Sequence, residues 1–489
     1  MSARPAKRQV AVTDLVSAIP GSVVPPGGAL VTGIELDSRQ VEPGDLFAAL
    51  PGRHTHGAVH APQALARGAA AILTDAQGAA LLGDATVPVI TVPEPRAVLG
   101  MLAAGVYGNP ADAMTLLGVT GTNGKTTVSY LLEAGLRAAG RTTGVIGTIG
   151  VRIGDTALTS ARTTPEAVHL HALLAVMREQ GVDAVAMEVS SIALCEGRVD
   201  GLRFAVAGFT NLSQDHLDYH GAMEAYFDAK AALFTPARAD LGIVGIDDVW
   251  GGRLARLAGI PVQTWTTSPG AAADWRLVPT GGDWIVRGPA GEEQPVSIPL
   301  PGAYNRANAL CAYAMLRGAD VDPATAAAGL AAVSVPGRME IVGCVGGITG
   351  IVDYAHSPDA IERVIAAVRE DHAGRIIVVL GAGGDRDREK RPLMGRAARL
   401  ADEVIITDDN PRSEDPALIR QAVFDGVPDG RARIIPGRRE AIAEAVALAG
   451  AGDTVLVLGK GHEQGQEISG VVHPFDDRDA LRGALGGAR

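Results

Sequence analysis

The stretch Gly118-Val-Thr-Gly-Thr-Asn-Gly-Lys-Thr-Thr127 constrains this chain more than any other. Met114 to Val119 is mostly apolar and reads as a buried strand. Val128, Leu131, Leu132 and Leu136 then recur at helical spacing until Gly140. A glycine-rich turn that opens a helix gathers backbone N–H groups where the helix dipole favours anions, and Lys125 adds a formal positive charge. Thr126 stands where a hydroxyl would ligate the Mg²⁺ of a nucleoside triphosphate. The glycines fall at 118, 121 and 124, and Val119 occupies the place of the first glycine in the common P-loop spacing. The alternative is an ordinary strand-to-helix turn, but Gly-Lys-Thr-Thr in this setting favours a nucleotide.

Composition narrows the rest. A chain of 489 residues with 47% hydrophobic content holds two to four domains, each able to bury its own core. A net charge of −12, with no local basic patch, argues against a nucleic-acid partner. Cys195, Cys311 and Cys344 are too few and too scattered for a disulfide framework or a zinc site, and they fit a reducing cytoplasm. Asp14 interrupts any signal-like apolar run near the N-terminus, and no uncharged segment approaches the length of a membrane span. A cytoplasmic protein with no membrane partner is expected.

Arginine outnumbers lysine 38 to five. Lys7 lies in the N-terminal tail, but Lys125, Lys230, Lys390 and Lys460 each sit in a polar motif. A guanidinium cannot replace a compact ammonium or a carbamylated amine, so these four are site candidates.

Taken in order, residues 1–110 read as a small α/β module. Pro43-Gly44 and Pro51-Gly52 mark turns around a short strand from Leu46 to Leu50. Ala61 to Gly68 reads as a helix and Ala70 to Leu73 as a strand. Residues 111–337 begin with the P-loop. An apolar strand from Val182 to Met187 ends in Glu188-Val-Ser-Ser191, and an acidic residue at the carboxyl end of such a strand suits a metal ligand. The strand Phe204 to Phe209 delivers the polar loop Asn211 to Gly221, with His216 and His220. Tyr226 to Phe234 reads as a helix, and on pattern alone Lys230 would face solvent or sit half-buried. Gly-rich turns between Pro261 and Leu300 predict an antiparallel β insertion.

Residues 338–489 alternate strand and helix, which predicts a mostly parallel sheet covered on both faces. Three of its strands empty into charged loops: Gly381 to Arg391, Thr407-Asp-Asp-Asn-Pro-Arg412 and Gly459-Lys-Gly-His-Glu463. Ligands in open α/β sheets bind beyond the carboxyl ends of strands, and loops of mixed charge suit a small zwitterion.

With these motifs in place, the chain resembles the Mur ligases. The residues that carry the likeness are Gly118 to Thr126, Met187-Glu-Val-Ser-Ser191, Asp215-His-Leu-Asp-Tyr-His-Gly221, Tyr226-Phe-Asp-Ala-Lys230, Asp353-Tyr-Ala-His356 and Gly459 to Glu463. They run in order through nearly the entire sequence. The resemblance implies three α/β domains: a small UDP-sugar-binding domain (1–110), a central P-loop doubly wound sheet with a β insertion (111–337), and a Rossmann-like domain for the incoming amino acid (338–489). It implies ATP and Mg²⁺ as cofactors, small-molecule partners, and a monomer. ATP would be held by Gly121, Thr122, Asn123, Gly124, Lys125, Thr126 and Thr127, with Asn308, Arg338 and Asp353. Leu36, Ser38, Arg53, His54 and Thr55 would contact the UDP-sugar. Thr163, Thr164, Ser190, Glu196 and Arg198 would hold its peptide. Thr126, Glu188, His216 and Lys230, the last as an N-carbamate, would ligate Mg²⁺. Arg386, Asp409, Asn410, Pro411, Arg412, Gly459 and Glu463 would bind the amino acid.

The implied chemistry is an ATP-dependent amide ligation through an acyl phosphate, adding diaminopimelate to UDP-N-acetylmuramoyl-L-alanyl-D-glutamate. The catalytic set would be Lys125, Lys230, Glu188 and His216. Within the superfamily the rivals are folylpolyglutamate synthase and the D-alanyl-D-alanine-adding ligase. The N-terminal module and Asp409-Asn-Pro-Arg412 argue against both. A nucleotide-dependent regulatory protein that has lost catalysis is the rival of another class, and the intact catalytic set argues against it. Four positions depart from common family usage: Ile192 after the Ser-Ser pair, Arg162 before Thr-Thr-Pro, Gly245, and Gly437 before Arg438.

Overall fold

The computed structural model describes every residue except 1–3, 18, 20, 21, 24–27, 53, 161, 282, 428–430, 488 and 489. The chain divides into two compact units, Met1–Ser297 with Ala307–Ala332, and Ile298–Arg306 with Val333–Arg489. The expected boundary near residue 110 lies inside the first unit, between its two principal sheets.

The smaller of those sheets pairs Gly33–Glu35, Asp45–Ala48, Ala71–Thr74 and Val89–Thr91 in parallel and in chain order. Strand alternation sends Leu46 and Leu73 into a core with Leu99 and Leu102 of helix Pro95–Val106. It sends Phe47 and Ile72 into a second core with Ala58, Ala61 and Ala64.

The larger sheet has eleven strands among the described residues. Its centre runs Thr143–Gly147, Ala184–Glu188, Thr115–Thr120, Phe204–Phe209, Ala239–Gly245 and Val262–Thr266, all parallel. The P-loop strand Thr115–Thr120 therefore has neighbours reached by connections that leave in opposite directions. That is the switch point at which such sheets open a crevice beyond their carboxyl ends. The β insertion extends this sheet. Trp275–Thr280 pairs in parallel with Val262–Thr266, and Asp283–Arg287 and Glu293–Val296 follow antiparallel.

In the second unit, Glu340–Val345 pairs antiparallel with Ile348–Asp353 at one edge. Thr454–Leu458, Ile376–Leu380, Glu403–Ile406 and Ala432–Ile434 continue in parallel. Ile376, Val378 and Leu380 pack on helix Pro358–Asp371. Their alternates Ile377 and Val379 pack with Ile442 of helix Arg438–Leu448 and Leu481 of helix Asp477–Gly487. Both faces of the sheet are covered, as a near-continuous apolar strand pattern requires.

Candidate active site

The P-loop has the backbone its glycines predict. Gly121 (φ +148°) and Gly124 (φ +88°) adopt conformations that side chains rarely take. A Cβ at 121 would overlap the Thr210 hydroxyl, and one at 124 would overlap the side-chain oxygen of Asn308. Thr210 donates to the Asn123 carbonyl (2.7 Å), and the Asn123 N–H donates to Asn211 Oδ1 (3.1 Å), so the end of the neighbouring strand fixes the loop. Helix Lys125–Ala138 starts directly behind it. Lys125 Nζ curls back onto the carbonyls of Gly121 and Thr122, both at 2.9 Å. Convergent N–H groups, a helix N-terminus and a lysine fit a polyphosphate.

Glu188 lies in register with Val119, one strand away from this loop. Its carboxylate accepts from the Thr148 N–H (2.7 Å) and the Thr148 hydroxyl (3.0 Å), and Thr148 in turn meets Thr163 Oγ1 at 3.0 Å. Thr164 donates to the Glu188 carbonyl (2.8 Å) and accepts from the Ser190 N–H (3.2 Å). Arg198 donates to the Thr164 carbonyl (3.2 Å) and ion-pairs with Glu196 and Glu166. The structure thus gathers Thr163, Thr164, Ser190, Glu196 and Arg198 around Glu188. Thr148 belongs to the same group and was not anticipated. Its position just past a strand end is the signal that could have found it.

The reading of Lys230 as a solvent-facing lysine is corrected. Helix Met223–Ala231 buries it to 1% exposure. Its Nζ donates to the Gly121 carbonyl (2.8 Å) and lies 4.5 Å from the centroid of the Tyr226 ring. Burial pushes this amine well below the ordinary lysine range, and the nearby Lys125 charge pushes it the same way, against Asp215. Burial also raises the Tyr226 phenol to about 12, and its hydroxyl lies 3.2 Å from Thr122 Oγ1. His216 is left-handed (φ +52°) and half-exposed, with Nε2 3.5 Å from Asp215. His220 instead shares a hydrogen bond with Ser191 (2.9 Å) and lies against Tyr226.

Among the described residues no three His, Cys, Asp or Glu side chains form a ready metal cage. The expected Mg²⁺ set has two such residues, Glu188 and His216. It adds the buried Thr126 hydroxyl and needs an anion at Lys230. With that anion the donors are three oxygens and one imidazole, which suits a hard dication.

Leu36 and Ser38 are held by a different group. The Leu36 and Asp37 N–H groups donate to buried Glu35 (2.8 and 3.1 Å), and Ser38 donates to Gln63 (2.7 Å). His54 and Thr55 are exposed, and Arg53 lies outside the described residues.

In the second unit, Asp353 is buried and accepts from the N–H groups of Met339 (2.7 Å) and Ala355 (2.8 Å). Its burial raises its carboxyl against the pull of Arg338. The Arg338 guanidinium lies 4.4 Å from the centroid of the Tyr354 ring. The loops after Ile376–Leu380, Glu403–Ile406 and Thr454–Leu458 meet at one edge. Asn410 Nδ2 donates to Glu463 (2.9 Å), and an added Cβ at Gly459 would run into Asp409. Arg412 is left-handed (φ +51°), donates to the Gly384 carbonyl (2.6 Å) and lies 3.3 Å from Glu467. Arg386 is exposed on the first of these loops.

Two supports were missed from sequence. Fully buried Arg438 pairs with Asp477 and donates to the carbonyls of Leu458 (2.9 Å) and Asp408 (3.3 Å), fixing the roots of two loops. The hairpin Gly465–Ile468 with Val471–Pro474 binds the second loop: Arg412 N–H to the Glu467 carbonyl (3.0 Å) and Ser469 N–H to the Arg412 carbonyl (2.7 Å). Ser469 (φ +49°) and Gly470 (φ +78°) make its two-residue turn, so the Ser-Gly pair was the available signal.

A central doubly wound sheet with a P-loop at its switch point, and a Rossmann-like unit whose loops carry paired charges, place the chain among nucleotide-binding α/β proteins. Family comparison agrees along the chain. The Mur ligase family catalytic domain matches residues 30–107, the Mur ligase middle domain 119–316, and the Mur ligase glutamate ligase domain 337–461. The chain belongs to the Mur ligase family. It is 51% identical to the UDP-N-acetylmuramoyl-L-alanyl-D-glutamate–2,6-diaminopimelate ligase of Streptomyces coelicolor, covering 95% of this chain and 94% of that protein. To the ligase of the same name from Corynebacterium efficiens it is 49% identical, covering 93% and 90%. A solved structure of a ligase of that name superposes with a TM-score of 0.73 at 32% identity, covering 98% of this chain and 99% of that one.

Proposed function

We propose that this chain is an ATP-dependent ligase that joins diaminopimelate to the D-glutamyl γ-carboxylate of UDP-N-acetylmuramoyl-L-alanyl-D-glutamate, in the synthesis of peptidoglycan precursors. The observation that carries the substrate assignment is the loop edge of the second unit. There a guanidinium, Arg412, and a carboxylate, Glu463, stand on loops fixed from below by buried Arg438. Diaminopimelate ends in both a carboxylate and an ammonium, and this edge offers a partner to each.

A carboxylate is a poor electrophile and must be activated. Its oxygen attacks the γ-phosphorus of ATP, forming a C–O–P linkage as ADP leaves. The amine then forms the N–C bond, phosphate departs with the C–O electron pair, and the amine loses a proton. The P-loop N–H groups and Lys125 hold the phosphates during the first step, where charge shifts most. Thr163, Thr164, Ser190 and Arg198 hold the peptide carboxylate beside Glu188. Mg²⁺ on Thr126, Glu188, His216 and the Lys230 carbamate would neutralise charge on the transferring phosphoryl group.

Within this reading the chain is organised as residues 1–110, 111–337 and 338–489 for UDP-sugar, ATP and amino acid. It works as a monomer on small molecules in the cytoplasm, with no nucleic-acid partner. The described cysteines at 195, 311 and 344 form no disulfide, and no described helix is long and apolar enough to cross a membrane. The test is phosphate release with the UDP-muramoyl dipeptide and ATP, with and without each amino acid. Release that depends on diaminopimelate is expected; release indifferent to any amino acid, or to the muramoyl dipeptide, overturns the reading.

A further inference from the structure

Lys460 is one of only five lysines in a chain with 38 arginines, and it is fully buried. Its Nζ lies 3.0 Å from Glu463 Oε2, 3.1 Å from Asn410 Oδ1 and 3.7 Å from Asp409 Oδ1. The ammonium donates to Asn410 and Glu463 and pairs by charge with Asp409, all on the loops assigned above to the amino acid. Asn410 is locked in turn, because its Oδ1 also accepts from the Glu467 N–H (2.9 Å) while its Nδ2 donates to Glu463 Oε2 (2.9 Å). Both donors to Glu463 fall on Oε2. Oε1 takes no hydrogen bond from the described residues, and the side chain stays 34% exposed.

We infer that Lys460 is a positioning residue for the amino-acid substrate, a buried cation that holds the Glu463 carboxylate oriented with one oxygen left for the substrate's distal ammonium. The inference rests on the assignment of this edge to the amino acid. An ammonium under the loop makes the carboxylate ready before the substrate arrives, so binding does not have to order it. Arginine cannot do this, because a planar fork does not converge on three acceptors around a point. Without the cation, Glu463 loses its ion pair and one of the two donors on its Oε2, and its side chain is free to swing.

The test is steady-state kinetics on Lys460→Met, Lys460→Gln and Lys460→Ala, with KM measured separately for all three substrates beside wild type. The expected result is a KM for diaminopimelate raised at least about tenfold. KM for ATP and for the UDP-substrate should stay within about twofold, since the contacts that bind them are untouched. Propylammonium, which supplies the atoms missing from Lys460→Ala, should lower the diaminopimelate KM of that variant, and tetramethylammonium should not. If one variant fails to fold, the others give the same reading. An unchanged diaminopimelate KM overturns the inference, as does an equal loss toward all three substrates without rescue. A wild type that ignores diaminopimelate overturns the parent assignment and this inference with it.

Discussion

Lys230 and Lys125 donate to the same carbonyl oxygen, that of Gly121, at 2.8 and 2.9 Å. Burial strips hydration from Lys230 and the Lys125 charge repels it, so Lys230 is the amine whose hold on its proton is weakened. A neutral amine adds CO₂: an N–C bond forms, a proton leaves, and a carbamate anion results. On Lys230 such a carbamate would turn the repulsion with Lys125 into attraction. ¹³C NMR of the enzyme in ¹³C-bicarbonate should show a carbamate resonance that Lys230→Ala lacks. That variant should lose activity by about a hundredfold or more, with partial recovery in short-chain carboxylates. Lys230→Arg should be equally inactive, because a guanidinium forms no such carbamate. An active Arg variant, or no carbamate signal, counts against the assignment.

Lys125→Ala should abolish ADP formation, a loss of about 10²–10³ or more for a group that neutralises transferring charge. Binding of the UDP-substrate, followed by calorimetry, should change little, because Leu36 and Ser38 are held by Glu35 and Gln63 and not by the P-loop. Undiminished ADP production would remove the nucleotide from this loop.

Much of this was legible because the signals were local. The P-loop, the strand that delivers Glu188 and the three charged loops each announce themselves by composition within a dozen residues. The strand from Leu46 to Leu50 was also found, though it runs Asp45–Ala48. What escaped depends on pairing across the chain. Helical spacing could not reveal that Lys230 turns inward, because its acceptor, Gly121, lies 109 residues away. The Arg438–Asp477 pair spans 39 residues, and no local pattern marks either member as buried. The family resemblance supplied the role of Lys230 where residue patterns pointed the other way.

Acid should act on the second unit through Glu414. Hydrogen bonds from Arg391 foremost, then the Asp385 N–H, hold its carboxyl down at about 2. A depressed folded-state value means the stabilisation is fully present above the unfolded value of about 4.3 and is lost as pH falls through about 2. Glu414→Gln should therefore be less stable than wild type at pH 7, and the gap should narrow from pH 5 downward. A gap that stays constant between pH 7 and 2, in urea titrations, would remove Glu414 from the acid response.

The family resemblance leads one to expect an Asn where Gly245 stands, and introducing that residue should not help. A Cβ there would run into the indole of Trp265, which is 3% exposed in the adjacent strand. Overpacking of this kind costs about 1–3 kcal/mol. Gly245→Asn should lower the melting temperature and leave KM for ATP no better. A stable variant with tighter ATP binding would show that the indole yields.

Arg412 should decide between diaminopimelate and lysine, which differ by one carboxylate at the far end. Its guanidinium is a quarter exposed, with Nη1 on the Gly384 carbonyl and Nε beside Glu467. The backbone is held in the left-handed region by bonds to the hairpin on both sides, at 3.0 and 2.7 Å. A cation anchored in this way gains from a substrate carboxylate and offers lysine nothing. Leaving such a contact unmade costs about 2–5 kcal/mol. At about 1.4 kcal/mol per decade, wild type should prefer diaminopimelate by at least roughly thirtyfold in kcat/KM. Arg412→Ala should lose most of that preference by losing diaminopimelate, not by gaining lysine, because Glu463, held by Asn410, still serves the ammonium common to both. Meso-diaminopimelate, LL-diaminopimelate and L-lysine assayed side by side on both enzymes give the answer. Comparable wild-type turnover of lysine, or an unchanged preference in Arg412→Ala, would place the discriminating cation elsewhere on this edge, with exposed Arg386 the next to substitute.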